Sequence, residues 1–223
     1  MKKEACMRVG IYLLGIVILA LGVATNTFTG LGVSAVVSVP YSISVIWELP
    51  LGTVTFGYYC ACVALQFLIG RRFCRPALLA LQIPMALVSS VLIGWFSAAL
   101  PFAPRTALEQ YALLALAILL TGVGGAMIVD MALVPNPADA LADVIGKAMG
   151  KSFGFGKNVL DALAVVLTCT IGVLTVRRVV GVQVGTLCCA VLIGRTIAAF
   201  NHFFRAPLLR AAGLDAEDRK DGR

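Results

Sequence analysis

The chain has 223 residues, of which 60% are hydrophobic and only 13% are charged, and its mean hydropathy is +0.97. Soluble domains carry about 25% charged residues, so this composition excludes an ordinary soluble domain and indicates a protein built for lipid. The net charge is +7. Because the basic residues stand at the ends of apolar runs, they indicate membrane topology, and nucleic acid is not expected as a partner.

The first apolar run covers residues 9–28 and follows Lys2, Lys3 and Arg8. A basic start before an apolar stretch is typical of a cleaved signal peptide. This run is longer than a usual signal-peptide core, however, and further apolar runs follow it. We therefore predict an uncleaved first membrane span.

Five more apolar runs of spanning length predict an all-α, polytopic membrane protein with about six transmembrane helices. They cover residues 51–70, 76–100, 111–131, 158–176 and 180–200. The whole chain, 1–223, is expected to form a single membrane domain, with residues 205–223 as a polar cytoplasmic tail.

Between the first two spans lies a short segment, residues 34–47, which follows Gly30-Leu31-Gly32. Ser34, Ser38 and Ser42 recur at every fourth residue, so a helix here would carry one hydroxyl-bearing face. The segment is too short and too polar to span the membrane. A re-entrant helix and a helix at the membrane surface both remain open.

A second short segment, residues 137–149, follows the fourth span. The sequence Pro135-Asn136-Pro137-Ala138-Asp139 is expected to end that span sharply and to begin an amphipathic helix, with Pro137 in its first turn. Two breaks at corresponding places are a pointer to a central cavity in transporters built from repeats. The alternative is a pair of helices that lie at the membrane surface.

The order of span, short helix, span and span occurs twice, which suggests two related halves. Gly22-Val23 matches Gly122-Val123, and Thr55-Phe56-Gly57 matches Ser152-Phe153-Gly154 at nearly the same offset. With three spans each, repeat 1 (about 8–100) and repeat 2 (about 108–204) would have inverted topology. Chance similarity between glycine-rich apolar helices is the alternative.

The distribution of lysine and arginine predicts the orientation of the chain. With the N-terminus inside, the outer side receives only Arg105, Arg177 and Arg178, while most other basic residues face the cytoplasm. Both termini are therefore expected to be cytoplasmic, in a bacterial cytoplasmic (inner) membrane. Tyr58 and Tyr59 are assigned to an aromatic belt near the outer surface.

Arg195 is the most unusual polar residue, because it lies inside the sixth apolar run. An arginine there is costly and normally faces a partner, a cavity or a ligand. Asp161 lies at a comparable depth in the fifth span. An Arg195–Asp161 ion pair, an anion-binding site and snorkelling of Arg195 to the headgroups are the three readings. The candidate substrate-binding residues are Arg195, Asp161, Asn136, Asp139, Ser34 and Ser38.

Metal and cofactor chemistry are not expected. The pairs Cys60/Cys62 and Cys188/Cys189 lack the spacing of redox or zinc motifs, and His202 has no ligand partners in the sequence pattern. The chain carries no nucleotide-binding, zinc-protease, nucleophile-elbow or kinase motif. We therefore predict that it is not an enzyme and that it has no metal site and no cofactor.

Several short glycine-rich motifs carry a family resemblance over roughly residues 8–204. They are Arg8-Val9-Gly10, Ala20-Leu21-Gly22, Gly30-Leu31-Gly32, Pro135-Asn136-Pro137-Ala138-Asp139, Ser152-Phe153-Gly154 and Val184-Gly185-Thr186-Leu187. In these motifs the chain resembles the YczE/YitT family of bacterial integral membrane proteins. The resemblance implies a multi-pass membrane protein and supplies no catalytic residues.

Two functions are compatible with these patterns. The leading hypothesis is a small-solute transporter or permease, formed by two inverted halves and assembled as a homo-oligomer in the lipid bilayer. The alternative is a non-transporting membrane adaptor that assists a biosynthetic or regulatory partner. In that case the two short helices would be docking surfaces.

Overall fold

A computed structural model describes residues 2–70, 72, 75–100 and 102–214, and every regular element in these ranges is a helix. The helices are α1 (Lys2–Thr27), α2 (Ala35–Trp47), α3 (Leu51–Ile69), α4 (Pro76–Ala99), α5 (Ala107–Met131), α6 (Pro137–Ala148), α7 (Phe153–Val176) and α8 (Val184–Ala211). Six of them, all except α2 and α6, are long and apolar enough to cross a membrane. The predicted all-α polytopic architecture is confirmed at this level.

Two helices begin before their apolar runs because polar residues cap them. Thr106 and Glu109 form a capping box at the start of α5, in which the Thr106 hydroxyl accepts from Glu109 N at 3.2 Å. The Ser152 hydroxyl accepts from Phe155 N at 3.4 Å, so α7 starts at Phe153. Caps of this kind satisfy amides that the first helical turn leaves unpaired. These two spans are therefore longer than hydropathy alone predicts.

Helix α8 extends well beyond the predicted sixth span. Residues from 205 were expected to form a polar tail, but the helix continues to Ala211. Arg205 lies 3.4 Å from the buried carboxylate of Asp130 at the end of α5, and Leu209 is buried in a cluster with Ile11 and Met131. These contacts stabilise the last turns. The remainder of the predicted tail, residues 215–223, lies outside the described residues.

Helices α1 and α5 cross in antiparallel orientation at very short range. A methyl group at Gly22 would lie 2.6 Å from Thr121 N, and one at Gly124 would lie 2.7 Å from the carbonyl oxygen of Gly15. Only glycine permits two backbones to approach so closely, as in many membrane helix pairs. This contact is the most extensive between any two described helices.

The other long helices flank this pair. Helix α4 runs along α1, where Ile93 packs with Ala20 and Val23. Helix α8 runs along α5, where Cys189 packs with Leu114 and Ile118. Four long helices therefore stand in the order α4, α1, α5, α8.

The two short helices are packed inside the bundle. Helices α2, α3, α6 and α7 contact one another in sequence, and α7 returns to α2, so the four form a closed ring. Leu141 and Ile145 of α6 are buried in a cluster with Tyr59 of α3 and Leu160 of α7. Neither short helix rests on the outside of the bundle, as a purely interfacial helix would.

We predict that Gly124→Ala destabilises the protein by about 1–3 kcal/mol, because the added methyl group collides with the backbone of α1. The matched control is Gly57→Ala, since an added methyl group at Gly57 on α3 meets no atom within 4 Å. The control should be neutral or slightly stabilising. The free energy of unfolding in detergent–SDS mixtures measures both. Equal effects would contradict the proposed close crossing.

Candidate functional site between helices α3, α6 and α7

A charged cluster joins α6 to α7. Lys157 and Asp161 are four residues apart on α7 and therefore lie on the same face. The Lys157 ammonium nitrogen lies 3.6 Å from Asp161 Oδ1 and 3.3 Å from Oδ1 of Asp139 on α6. The three side chains are half-buried. One ammonium group between two carboxylates gives the cluster a formal net charge of −1.

Asn136 and Tyr59 connect this cluster to α3. Asn136 caps α6, with its Oδ1 accepting from Ala138 N at 3.1 Å, and its amide donates to the Tyr59 hydroxyl at 3.5 Å. Tyr59 is only 4% exposed. Its hydroxyl lies within electrostatic range of both Asp139 and Lys157. The cluster is therefore formed by residues of α3, α6 and α7, and it includes the N-terminus of α6, which Asn136 caps.

A buried pair of glutamine side chains contacts the N-terminus of α6. Gln66 on α3 and Gln82 on α4 exchange two hydrogen bonds of 2.9 and 3.1 Å, and Gln66 also donates to the carbonyl oxygen of Pro137 at 3.0 Å. Both glutamine side chains are fully buried. Away from water such amides require partners, so this pair fixes α3, α4 and the start of α6 relative to one another.

The structure brings three of the six predicted site residues together. Asn136, Asp139 and Asp161 belong to the charged cluster. Ser38 instead lies on α2, where its hydroxyl is bonded to Thr168 Oγ1 of α7 at 2.7 Å. Ser34 precedes α2, and its backbone amide donates to Asn26 Oδ1 at 2.9 Å.

Arg195 lies on an exposed face of α8, which packs mainly against α5. The ion pair considered between Arg195 and Asp161 is not formed, because the cationic partner of Asp161 is Lys157. Lys157 lies just outside the predicted fifth span, which starts at residue 158, whereas α7 begins five residues earlier, at Phe153. The early start results from the Ser152 cap.

The sequence pattern did not identify three further residues as parts of the site. Tyr59 was assigned to an aromatic belt, but it is buried and bonded to Asn136. Gln66 and Gln82 were not singled out. The available signal was an uncharged amide inside each of two consecutive apolar spans, since such groups need partners in lipid.

Within the described ranges, no group of three or more histidine, cysteine, aspartate or glutamate side chains is arranged to hold a metal ion. The chemistry that the cluster offers is electrostatic. Two carboxylates, one ammonium group, an amide and a phenol can exchange protons or hold a small polar group in a partly dry environment.

Six spanning helices, two short helices inside the bundle and charges placed between them define this chain as a polytopic membrane protein with a polar site. It belongs to a family of unknown function, DUF6198, whose model matches residues 6–202. No curated protein matches the chain, and no solved structure matches it. The resemblance to the YczE/YitT family stays a prediction.

We predict that Lys157→Met lowers the free energy of unfolding by about 1–3 kcal/mol, because it leaves two neighbouring half-buried carboxylates without their cation. Lys147→Met is the matched control, since Lys147 pairs with Asp143 on the exposed side of α6. Its effect should stay within about 0.5 kcal/mol. Titration with SDS would measure both variants, and similar losses would argue against a special role for the cluster.

Proposed function

We propose that this protein is a small-solute transporter of the bacterial cytoplasmic membrane, with its polar site between α3, α6 and α7. The observation that carries the proposal is the charged cluster of Asp139, Lys157 and Asp161. Asn136 and Tyr59 complete the site. Arg195, Ser34 and Ser38 remain predicted solute-binding residues outside this cluster.

The number of charges in the cluster favours a functional role. Charged side chains within membrane helices are costly, and a purely structural ion pair needs one carboxylate for each cation. Here a second carboxylate is added to the Lys157–Asp161 pair from α6. The excess negative charge suits a proton, a small cation or the cationic group of a solute.

The packing of the helices supports two related halves. If α1–α4 are matched with α5–α8, the contact of α1 with α4 corresponds to that of α5 with α8. The contact of α2 with α3 corresponds to that of α6 with α7, and the contact of α2 with α7 to that of α3 with α6. The antiparallel pair α1 and α5 then lies on the axis that relates the halves, as expected for inverted repeats.

The most extensive exception to this correspondence is the contact of α3 with α4. Helices α3 and α4 pack so closely that a methyl group added at Gly52 would lie 2.6 Å from the carbonyl oxygen of Ser90. Helices α7 and α8 make no comparable contact in the described chain. We propose that transport proceeds by alternating access, in which the solute site opens to each side of the membrane in turn. The difference between the two halves then represents one of two alternating conformations. The alternative conformation would exchange the roles of the two halves.

Cysteine accessibility tests alternating access without knowledge of the solute. Cys62 is buried near the middle of α3, packed in the same cluster as Tyr59, whereas Cys6 is exposed near the start of α1. Two variants would each retain one of these cysteines and lack the others. A membrane-impermeant maleimide would then be applied to intact cells and to inside-out vesicles.

We expect Cys62 to react from both sides of the membrane, because a transporter opens its centre to each side in turn. Cys6 should react only in inside-out vesicles, since the N-terminus is proposed to be cytoplasmic. Reaction of Cys62 from one side only, or from neither, would contradict transport and favour a membrane adaptor. Reaction of Cys6 in intact cells would contradict the proposed orientation.

A further inference from the structure

A cavity of about 220 Å³ lies at the opposite end of the bundle from the charged cluster, between the α1–α2 connection and the α7–α8 connection. Its polar lining includes Asn26, Tyr41, Arg178 and Gln183. In the proposed orientation this end faces the outside of the cell. A space of this size can hold several water molecules or a small solute.

The cavity is formed by two segments that are joined through their backbones. Val33 N donates to the carbonyl oxygen of Gly181 at 2.9 Å, and Gly185 N donates to that of Leu31 at 2.7 Å. Gly181 has a φ of +87°, and a methyl group there would lie 2.8 Å from the Tyr41 ring. The wall is therefore a built part of the fold, with a backbone conformation that favours glycine.

The lining is electropositive. Arg178 is the one charged side chain among the described lining residues, and it forms no ion pair within the described chain. Its backbone is fixed by a hydrogen bond from Arg178 N to the carbonyl oxygen of Gly172 at the end of α7. The starts of α2 and α8 adjoin the cavity, and helix N-termini carry partial positive charge.

Three neutral groups of the lining suit a polar ligand. Burial raises the pKa of Tyr41, so its hydroxyl stays protonated and can donate a hydrogen bond. The exposed side chain of Gln183 offers an amide group. Asn26 is already engaged, because its Oδ1 accepts from Ser34 N and its amide donates to Cys189 Sγ at 3.7 Å. Asn26 therefore shapes the wall, and Tyr41, Arg178 and Gln183 also belong to the polar lining.

We propose that this cavity is a binding site for a small anionic solute, with a carboxylate or phosphate group held by the Arg178 guanidinium and oriented by Tyr41 and Gln183. The guanidinium group binds carboxylate and phosphate oxygens with two parallel hydrogen bonds. The site is separate from the charged cluster, and binding here does not require that the protein transports the solute.

Binding is measured on the full chain in phosphatidylcholine nanodiscs, with sodium succinate and sodium phosphate as probes and sodium chloride as the ionic-strength control. The readout is the unfolding temperature as a function of probe concentration. We expect succinate or phosphate to raise it, and chloride at equal ionic strength to leave it unchanged. No stabilisation by either probe overturns the proposal for a free solute.

Arg178→Gln and Arg177→Gln form a matched pair, because both remove one positive charge from adjacent exposed residues and only Arg178 lines the cavity. We expect Arg178→Gln to weaken binding by about tenfold or more, and Arg177→Gln to leave it within about twofold. Equal weakening overturns the proposal, since it would indicate general attraction to a basic surface. Tyr41→Phe, which keeps the ring against Gly181, should weaken binding by a smaller factor.

A second arm separates a free solute from a lipid headgroup, which offers the same anionic chemistry. Nanodiscs containing phosphatidylglycerol are compared with those of phosphatidylcholine alone. If the ligand is a free solute, the affinity for succinate or phosphate stays the same in both. If phosphatidylglycerol itself stabilises the protein through Arg178 and excludes the probes, the free-solute assignment is overturned in favour of a lipid site. Neither result depends on the accessibility of Cys62.

Discussion

The close antiparallel contact of α1 and α5 determines the arrangement of the other helices. Gly15, Gly22 and Gly124 allow the two backbones to meet with almost no side chain between them. Each helix is then followed by a break and a short helix, and the antiparallel orientation places these breaks at opposite ends of the bundle. Helices α4 and α8 cover the two sides of the pair. The ring of α2, α3, α6 and α7 is attached to this row through α3 and α4.

Breaking a helix inside a membrane protein exposes backbone amides and carbonyls, and the chain supplies a polar partner at each break. Asn26 binds the amide of Ser34 before α2, and Asn136 binds that of Ala138 at the start of α6. Gln66 satisfies the carbonyl group of Pro137. Irregular backbone is tolerated at membrane depth only with such partners or beside a cavity. Asn26 and Asn136, which bind the backbone at the two helix breaks, therefore also belong to the two candidate sites.

The sequence was sufficient to predict the number of spans and the position of both short helices, because hydropathy and proline–glycine punctuation are local signals. The sequence was not sufficient to predict which side chains contact one another between helices. Lys157 falls outside the predicted fifth span because the Ser152 cap starts α7 before the apolar run. Tyr59 follows Tyr58 in an apolar run, and nothing local distinguishes the ring that is buried against α6. Contacts between residues on different helices depend on how each helix is rotated about its axis and how the helices pack. No local pattern in a single sequence predicts these two quantities.

The prediction for Arg195 illustrates the same limit. Its depth within α8 was readable, but the direction of its side chain depends on which face of α8 packs against α5. Asp161, its expected partner, has a nearer cation four residues away on its own helix. An i, i+4 pair costs less to form than a pair between distant helices, because the backbone already holds both residues close.

Two backbone hydrogen bonds, Val33 with Gly181 and Leu31 with Gly185, affect the order in which the protein folds. A chain that emerges from its N-terminus produces the first break early, yet the partners of that break, Gly181 and Gly185, lie just before and at the start of α8. Until α8 has been inserted, one amide and one carbonyl group near α2 lack their final partners, in surroundings that favour hydrogen-bonded backbone. The first half is thus not a self-contained unit of assembly. Its final packing depends on the insertion of α8.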